Sequence, residues 1–165
     1  EASALAARIG VSFRIDSVSS FREMFRFDQE GPDDLTSRIF ETCEIAHVYR
    51  CVSVRSGHLY KCPQAHSIAR VKGVDPTSDG ICITSDPDFV GRLLQYLSQE
   101  VPLEACGSCL GTVGRLLEHQ QLGRVSWRAH LAAPASASVD YLRLESLESS
   151  GRKTAVDHGL PPRRD

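Results

Sequence analysis

The segment CVSVRSGHLYKC, residues 51–62, decides the fold of the central part of the chain. Two short runs rich in β-branched and aromatic residues flank the tripeptide RSG, residues 55–57, whose glycine accepts the positive φ that other residues resist. This pattern predicts a β-hairpin with Cys51 in its first strand and Cys62 at the exit of its second. Pro63 then ends the pairing, because proline cannot donate a ladder hydrogen bond.

Helical patterns lie on both sides of this hairpin. The acidic pair at 33–34 is suited to cap a helix that runs over 35–40, and Asp86 followed by proline and regularly spaced apolar residues predicts a helix over 87–98. The opening residues predict a short Ala/Leu-rich helix followed by an alternating strand at 11–16. We therefore expect an α+β fold.

Length and charge balance exclude some classes of function. The chain has 165 residues, the length of one ordinary domain, and 19 basic against 21 acidic residues give a net charge of −2. This balance offers no basic field for nucleic acid or an anionic membrane, and no apolar run approaches the roughly 20 residues of a membrane span. Without a secretory signal pattern, we expect a soluble, cytoplasmic protein.

The opening residues also carry an expectation about completeness. The chain begins with Glu1 rather than methionine, and a helix running directly into a strand is typical of successive repeats in an α/β protein. The sequence therefore predicts a fragment of a longer chain.

The cysteines are the main candidates for chemistry. In the reducing cytosol they are expected to bind metal or to be buried rather than to form disulfides. Cys106-x-x-Cys109 can direct two sulfurs at one centre, although the same motif serves zinc knuckles and redox pairs. Cys51 and Cys82 lie in apolar strand-like runs and are expected to be core residues. The six stand at positions 43, 51, 62, 82, 106 and 109.

The spacing of these cysteines resembles that of a known family. Cys43 is followed by thirteen residues, then Gly57, four residues and Cys62, and after a longer gap containing a helix by Cys106-x-x-Cys109. This order is similar to the auxiliary-cluster domains of radical SAM enzymes, called SPASM, and to their single-cluster relatives, called twitch domains. No cysteine follows Cys109, so the chain resembles the twitch version.

The resemblance implies that Cys43, Cys62, Cys106 and Cys109 ligate one auxiliary [4Fe-4S] cluster that serves electron transfer or substrate positioning. It also implies a missing amino-terminal partial (β/α)6 barrel, which would carry the Cys-x3-Cys-x2-Cys motif for S-adenosylmethionine and a second [4Fe-4S] cluster. Residues 1–165 contain no such motif, so the chain is not a complete radical SAM oxidoreductase or maturase as given. The implied partners are a small-molecule or peptide substrate and a reductant protein.

On this interpretation the chain has three parts. Residues 1–34 are the end of a truncated α/β barrel and its connection, 35–127 are the SPASM/twitch-like iron–sulfur domain, and 128–165 are a low-complexity, disordered tail. The substrate and the oligomeric state have no signature in the sequence.

Several alternatives stay open at this stage. The same four thiolates suit a structural Zn²⁺ in an interaction module without catalysis, because the two metals share this ligand type. Cys51 stands close enough in sequence to replace Cys43 as the first ligand. A Cys/His zinc site would draw on His47, His66 or His119, and a helix after the Cys-x-x-Cys motif would direct Arg115, His119 and Gln120 at a substrate.

Overall fold

The computed structural model has an α+β fold with small antiparallel sheets. It describes residues 2–12, 18–26, 32–119, 121, 123–131 and 138–151. The α-helices are α1 Ala2–Arg8, α2 Asp33–Glu41, α3 Glu44–His47, α4 Pro63–Lys72, α5 Phe89–Ser98, α6 Arg124–Leu131 and α7 Tyr141–Ser150. The strands are β1 Ser20–Arg22, β2 Ser53–Arg55, β3 His58–Tyr60, β4 Gly80–Cys82 and β5 Leu116–Glu118. Two 3₁₀ helices cover Pro76–Asp79 and Glu104–Ser108.

The predicted hairpin is confirmed, with a tighter turn than expected. β2 pairs antiparallel with β3, and β4 adds a third strand on the far side of β3. Ser56 and Gly57 both have positive φ, 48° and 74°, as a two-residue hairpin turn requires. The connection is therefore these two residues rather than three, and Cys51 precedes the first strand instead of lying within it.

A second, two-stranded sheet joins distant parts of the chain. β1 pairs antiparallel with β5, and isolated bridges connect Phe25 to Cys109 and Gly114 to Val139. Gly114 is required there because a Cβ atom would lie 1.7 Å from the carbonyl oxygen of Glu23. Residues 20–26 are thus packed directly against the segment that carries the Cys-x-x-Cys motif.

The predicted helices are present with shifted starts. α2 covers the 35–40 prediction but begins at Asp33, with Pro32 rather than an aspartate at the cap, and α5 begins two residues late while ending at Ser98 as predicted. Helix α4 was missed. Its signals are proline at the first position and Gly73 in the left-handed conformation at its end, with φ 70°.

Two apolar clusters form the core. The first joins α2 to the segment after Cys109 and to α7, through Leu35, Ile39, Leu110, Val113, Val139 and Leu144. The second joins β3 and α4 to the Cys-x-x-Cys segment, through Tyr60, Ala65, Ile68, Ala105 and Cys109. The cysteine segment therefore lies between the two clusters and contributes to both.

Helix α7 corrects the predicted tail. The assignment of 128–165 to a disordered tail is wrong for residues 138–151, because Val139 and Leu144 are buried in the first cluster and Asp140 caps the helix by accepting a hydrogen bond from the Arg143 amide. Low sequence complexity before the helix concealed the buried positions Val139 and Leu144.

Some sequence predictions lie outside the described residues: most of the strand at 11–16, Gln120, and residues 152–165. Among the residues that the structure does describe, none of the helices combines the length and the apolar character that crossing a membrane requires.

Candidate metal centre

The four predicted ligands come from three segments that meet between the core clusters. Cys43 is the N-cap residue of α3, and Cys62 is the N-cap residue of α4. Cys106 lies within the 3₁₀ helix Glu104–Ser108, and Cys109 follows it directly. Cys43 and Cys109 are buried, each 8% exposed, and Cys62 and Cys106 are half-buried.

The thiols are close enough to influence each other electrostatically. Burial is the main cause of the raised pKa of each one, and it raises that of Cys106 to about 12. Charge on Cys43 further raises the pKa of Cys62, while charge on Cys43 and Cys62 raises the pKa of Cys106 and of Cys109. The raised pKa values favour the protonated thiols at these four positions.

Backbone groups lower the pKa of all four thiols and so oppose this effect. They belong to Ile45 and Ala46 for Cys43, Gln64 and Ala65 for Cys62, Leu103 for Cys106, and Gly111 for Cys109. Hydrogen bonds from backbone amides stabilise a thiolate and orient it once a proton has left. Helix α4 adds its positive amino-terminal end at Cys62.

Cys109 shows how one sulfur is held. Its Sγ accepts a hydrogen bond from the Gly111 amide at 3.3 Å and donates to the carbonyl oxygen of Met24 at 3.5 Å. That carbonyl also accepts from the Leu110 amide at 2.9 Å, so loss of the thiol proton does not leave it without a donor. Gly111 has φ 52°, and a Cβ atom there would lie 3.5 Å from the sulfur of Cys43.

Asp79 fixes the start of the Cys-x-x-Cys helix, a role that the sequence analysis missed. Its buried carboxylate accepts hydrogen bonds from the amides of Glu104, at 2.7 Å, and Ala105, at 2.8 Å. Tyr96 completes the support: its hydroxyl donates to the Asp79 carbonyl and accepts from the Lys61 amide, both at 2.7 Å. One tyrosine thus links the segment before Cys62 to the residue that orients Cys106.

Helix α7 supports the opposite side of the centre. Arg143 donates to Glu44 at 2.5 Å and to the carbonyl oxygen of Thr112 at 2.9 Å. Glu44 directly follows Cys43, and Thr112 lies three residues after Cys109. Arg143 therefore links the segment that follows Cys43 to the segment that follows Cys109.

Cys51 and Cys82 are corrected by the structure, because both are exposed rather than buried in the core. Cys51 raises the pKa of Cys62, so it lies near the edge of the site. Cys43, in contrast, is buried and acts electrostatically on the other three predicted ligands.

The other polar candidates have packing and pairing roles. His47 lies 2.7 Å from the carbonyl oxygen of Phe40, His66 packs edge-on against Tyr60, and His119 contacts the ring of Phe21. The predicted helix after the Cys-x-x-Cys motif is wrong, because β5 occupies that position. Arg115, just before β5, forms an ion pair with Glu23 at 2.8 Å.

Four cysteine thiolates are a donor set that both structural zinc sites and iron–sulfur clusters use. Within the described ranges, no three or more His, Cys, Asp or Glu side chains are already arranged so that they could hold a metal ion. A scan against protein-family models and a search of curated proteins each found no match to the chain.

Proposed function

We propose that Cys43, Cys62, Cys106 and Cys109 bind one [4Fe-4S] cluster and that the chain is the auxiliary-cluster module, SPASM/twitch-like, of a radical SAM enzyme. The observation that supports this most is that four thiols from three segments influence one another's pKa, while a backbone amide near each of them lowers it. Four cysteine ligands are the usual donor set of such a cluster.

The proposed role is electron transfer or positioning of a substrate. When bound, the cluster supplies one-electron chemistry, and four cysteine ligands leave none of its irons open to a substrate. The chain's own contribution is to exclude water through the two apolar clusters and to hold each sulfur through backbone amides. S-adenosylmethionine and its cleaving cluster are assigned to a segment other than residues 1–165, which lack the Cys-x3-Cys-x2-Cys motif.

The test is metal analysis of protein purified without oxygen. We expect about four irons and about four acid-labile sulfides per chain, with an electron paramagnetic resonance signal after reduction. One zinc per chain with little iron would instead show that the same thiolates serve a structural zinc site.

Single cysteine variants assign the ligands. Cys43→Ala, Cys62→Ala, Cys106→Ala and Cys109→Ala should each lower the iron content and the stability of the fold, because ligand bonds contribute to folding. Cys51→Ala and Cys82→Ala are matched controls and should retain the iron, because both side chains are exposed. Full iron retention in the Cys106 and Cys109 variants would contradict the proposal.

A further inference from the structure

A groove of about 610 Å³ lies along α5, on the side where this helix faces the residues before β2. We call it the α5 groove. Val52, Leu94 and Leu97 provide apolar lining, and Arg50, Lys61 and Glu100 provide charges. Its size is within the range of small-molecule sites, which combine apolar walls with a few polar groups.

Helix α5 presents an apolar stripe that its own packing does not cover. Val90, Leu94 and Leu97 recur at helical spacing and therefore lie on one side of α5, yet they are 62%, 63% and 37% exposed. None of the residues of this helix is buried. An amphipathic helix usually buries its apolar side, so a ligand here would remove apolar surface from water.

The two cationic side chains of the α5 groove, Lys61 and Arg50, differ in how accessible they are to a ligand. Lys61 is only 6% exposed; its ammonium group donates to the carbonyl oxygen of Gln99 and lies 5.6 Å from the centre of the Phe40 ring. Arg50, in contrast, is exposed, and within the described part of the chain its guanidinium has no hydrogen bond or ion pair. Arg50 is thus the cation left to bind a ligand.

The backbone at Arg50 is also unusual. Its φ is 48°, a left-handed conformation that is uncommon for a residue other than glycine, asparagine or aspartate. The preceding turn is held by hydrogen bonds from the Tyr49 amide to the Glu44 carbonyl and from the Cys51 amide to the Ile45 carbonyl. Strained positions of this kind concentrate at binding sites, where the surrounding structure enforces them.

We propose that the α5 groove binds an aliphatic monocarboxylate, with the carboxylate paired to Arg50 and the hydrocarbon chain against Val52, Leu94 and Leu97. A planar guanidinium matches a carboxylate through two parallel hydrogen bonds. One available cation beside the negative charge of Glu100 suits a single negative charge better than a doubly charged phosphate. The four cysteines do not line this groove, so the inference is independent of the proposed metal centre.

The experiment titrates octanoate into the protein, followed by amide chemical shifts in NMR, with octylammonium and octanol as probes of the same length. Octanoate should saturate at one site and shift the amides of α5 and of residues 50–52. Octylammonium should bind at least about tenfold more weakly, a free-energy difference of about 1.4 kcal/mol. Equal affinity for the two ions, or no saturable binding of octanoate at millimolar concentrations, would overturn the proposal.

Variants of Arg50 separate the effect of its guanidinium on ligand binding from any effect on the stability of the fold. Arg50→Gln should weaken octanoate binding by about tenfold and leave octanol unchanged, while Arg55→Gln, a matched change at another exposed arginine, should have no effect. Arg50→Gly suits the left-handed backbone, so it should lose octanoate binding with an unchanged or higher thermal midpoint. Unchanged binding in both Arg50 variants would overturn the assignment. Shifts at α5 that depend on dilution rather than on ligand would identify the stripe as a contact between copies of the chain, and would also overturn it.

Discussion

Replacing Asp79 tests whether one buried carboxylate orients the Cys-x-x-Cys segment. Asp79→Ala removes the acceptor of two short amide hydrogen bonds, from Glu104 and Ala105, and leaves those donors without a partner. A buried donor without a partner costs about 1–3 kcal/mol, and relief from burying the carboxylate offsets part of this. We expect a loss of about 2–4 kcal/mol in the free energy of unfolding, together with lower metal content because Cys106 is no longer held.

The pH dependence gives a sharper test, because two aspartates should respond in opposite directions. Burial raises the pKa of Asp79 above its usual value, so the folded state holds the proton more tightly and the stability contribution declines as pH rises above about 4. The amide of Thr77 lowers the pKa of the exposed Asp75, so its contribution is present above the usual pKa and is lost as pH falls below it. The destabilisation by Asp79→Asn should therefore shrink as pH rises from about 4 to 7, whereas that by Asp75→Asn should grow as pH rises towards about 4 and stay constant above it.

Urea unfolding of the metal-free, reduced protein at several pH values measures both slopes. Asp75 is a matched control because it caps the other 3₁₀ helix, Pro76–Asp79, in the same way but at the surface. Slopes of the same sign for the two variants, or a loss in Asp79→Ala no greater than in Asp75→Ala, would refute the role assigned to Asp79.

Three other outcomes follow from described contacts. Gly114→Ala should destabilise the fold by about 3 kcal/mol, because the added Cβ atom would overlap the carbonyl oxygen of Glu23. Gly91→Ala is the matched control: it lies in α5 with open space around it and should stabilise the fold by about 0.5–1 kcal/mol. Thermal unfolding measures both effects. Arg143→Ala should cost about 1–2 kcal/mol in urea unfolding and lower metal content, and unchanged metal content would contradict its bracing role. The metal-free protein should lose stability as pH rises above about 9, because thiols such as Cys106 ionise there only in the unfolded state, and metal uptake should release protons that a pH-indicator dye can count.

The parts of the fold that were predictable are those with local signals. The hairpin turn required positive φ at Gly57, and α5 carried a regular apolar pattern that ended at Ser98. Helix α7 lacked such a signal, because its buried contribution is chiefly Leu144 and its attachment depends on ion pairs to distant residues. Contacts between residues far apart in the chain have no local pattern from which to infer them.

The candidate site also has a part that could be predicted from the sequence and a part that could not. The four cysteines could be proposed as one set, because their residue type and their spacing are visible in the sequence. Their supporting residues could not, because Asp79 and Tyr96 act through backbone amides and a carbonyl that any sequence would supply. Cys51 and Cys82 were misjudged because apolar neighbours suggest burial, whereas Cys51 precedes β2, Cys82 is the last residue of β4, and both are exposed.

The pairing of β1 with β5 has a consequence for the order in which the protein assembles. Contacts across this pair, such as Arg115 with Glu23, join residues 92 positions apart, and the bridge from Phe25 reaches Cys109 itself. Closing so long a loop is slow compared with forming the local hairpin that precedes Cys62. During synthesis, Cys43 and Cys62 can reach their positions early, while Cys106 and Cys109 gain their β1 neighbour only after nearly the whole described chain has emerged. Loading of the proposed cluster is therefore expected as a late event, after β1 has docked against β5.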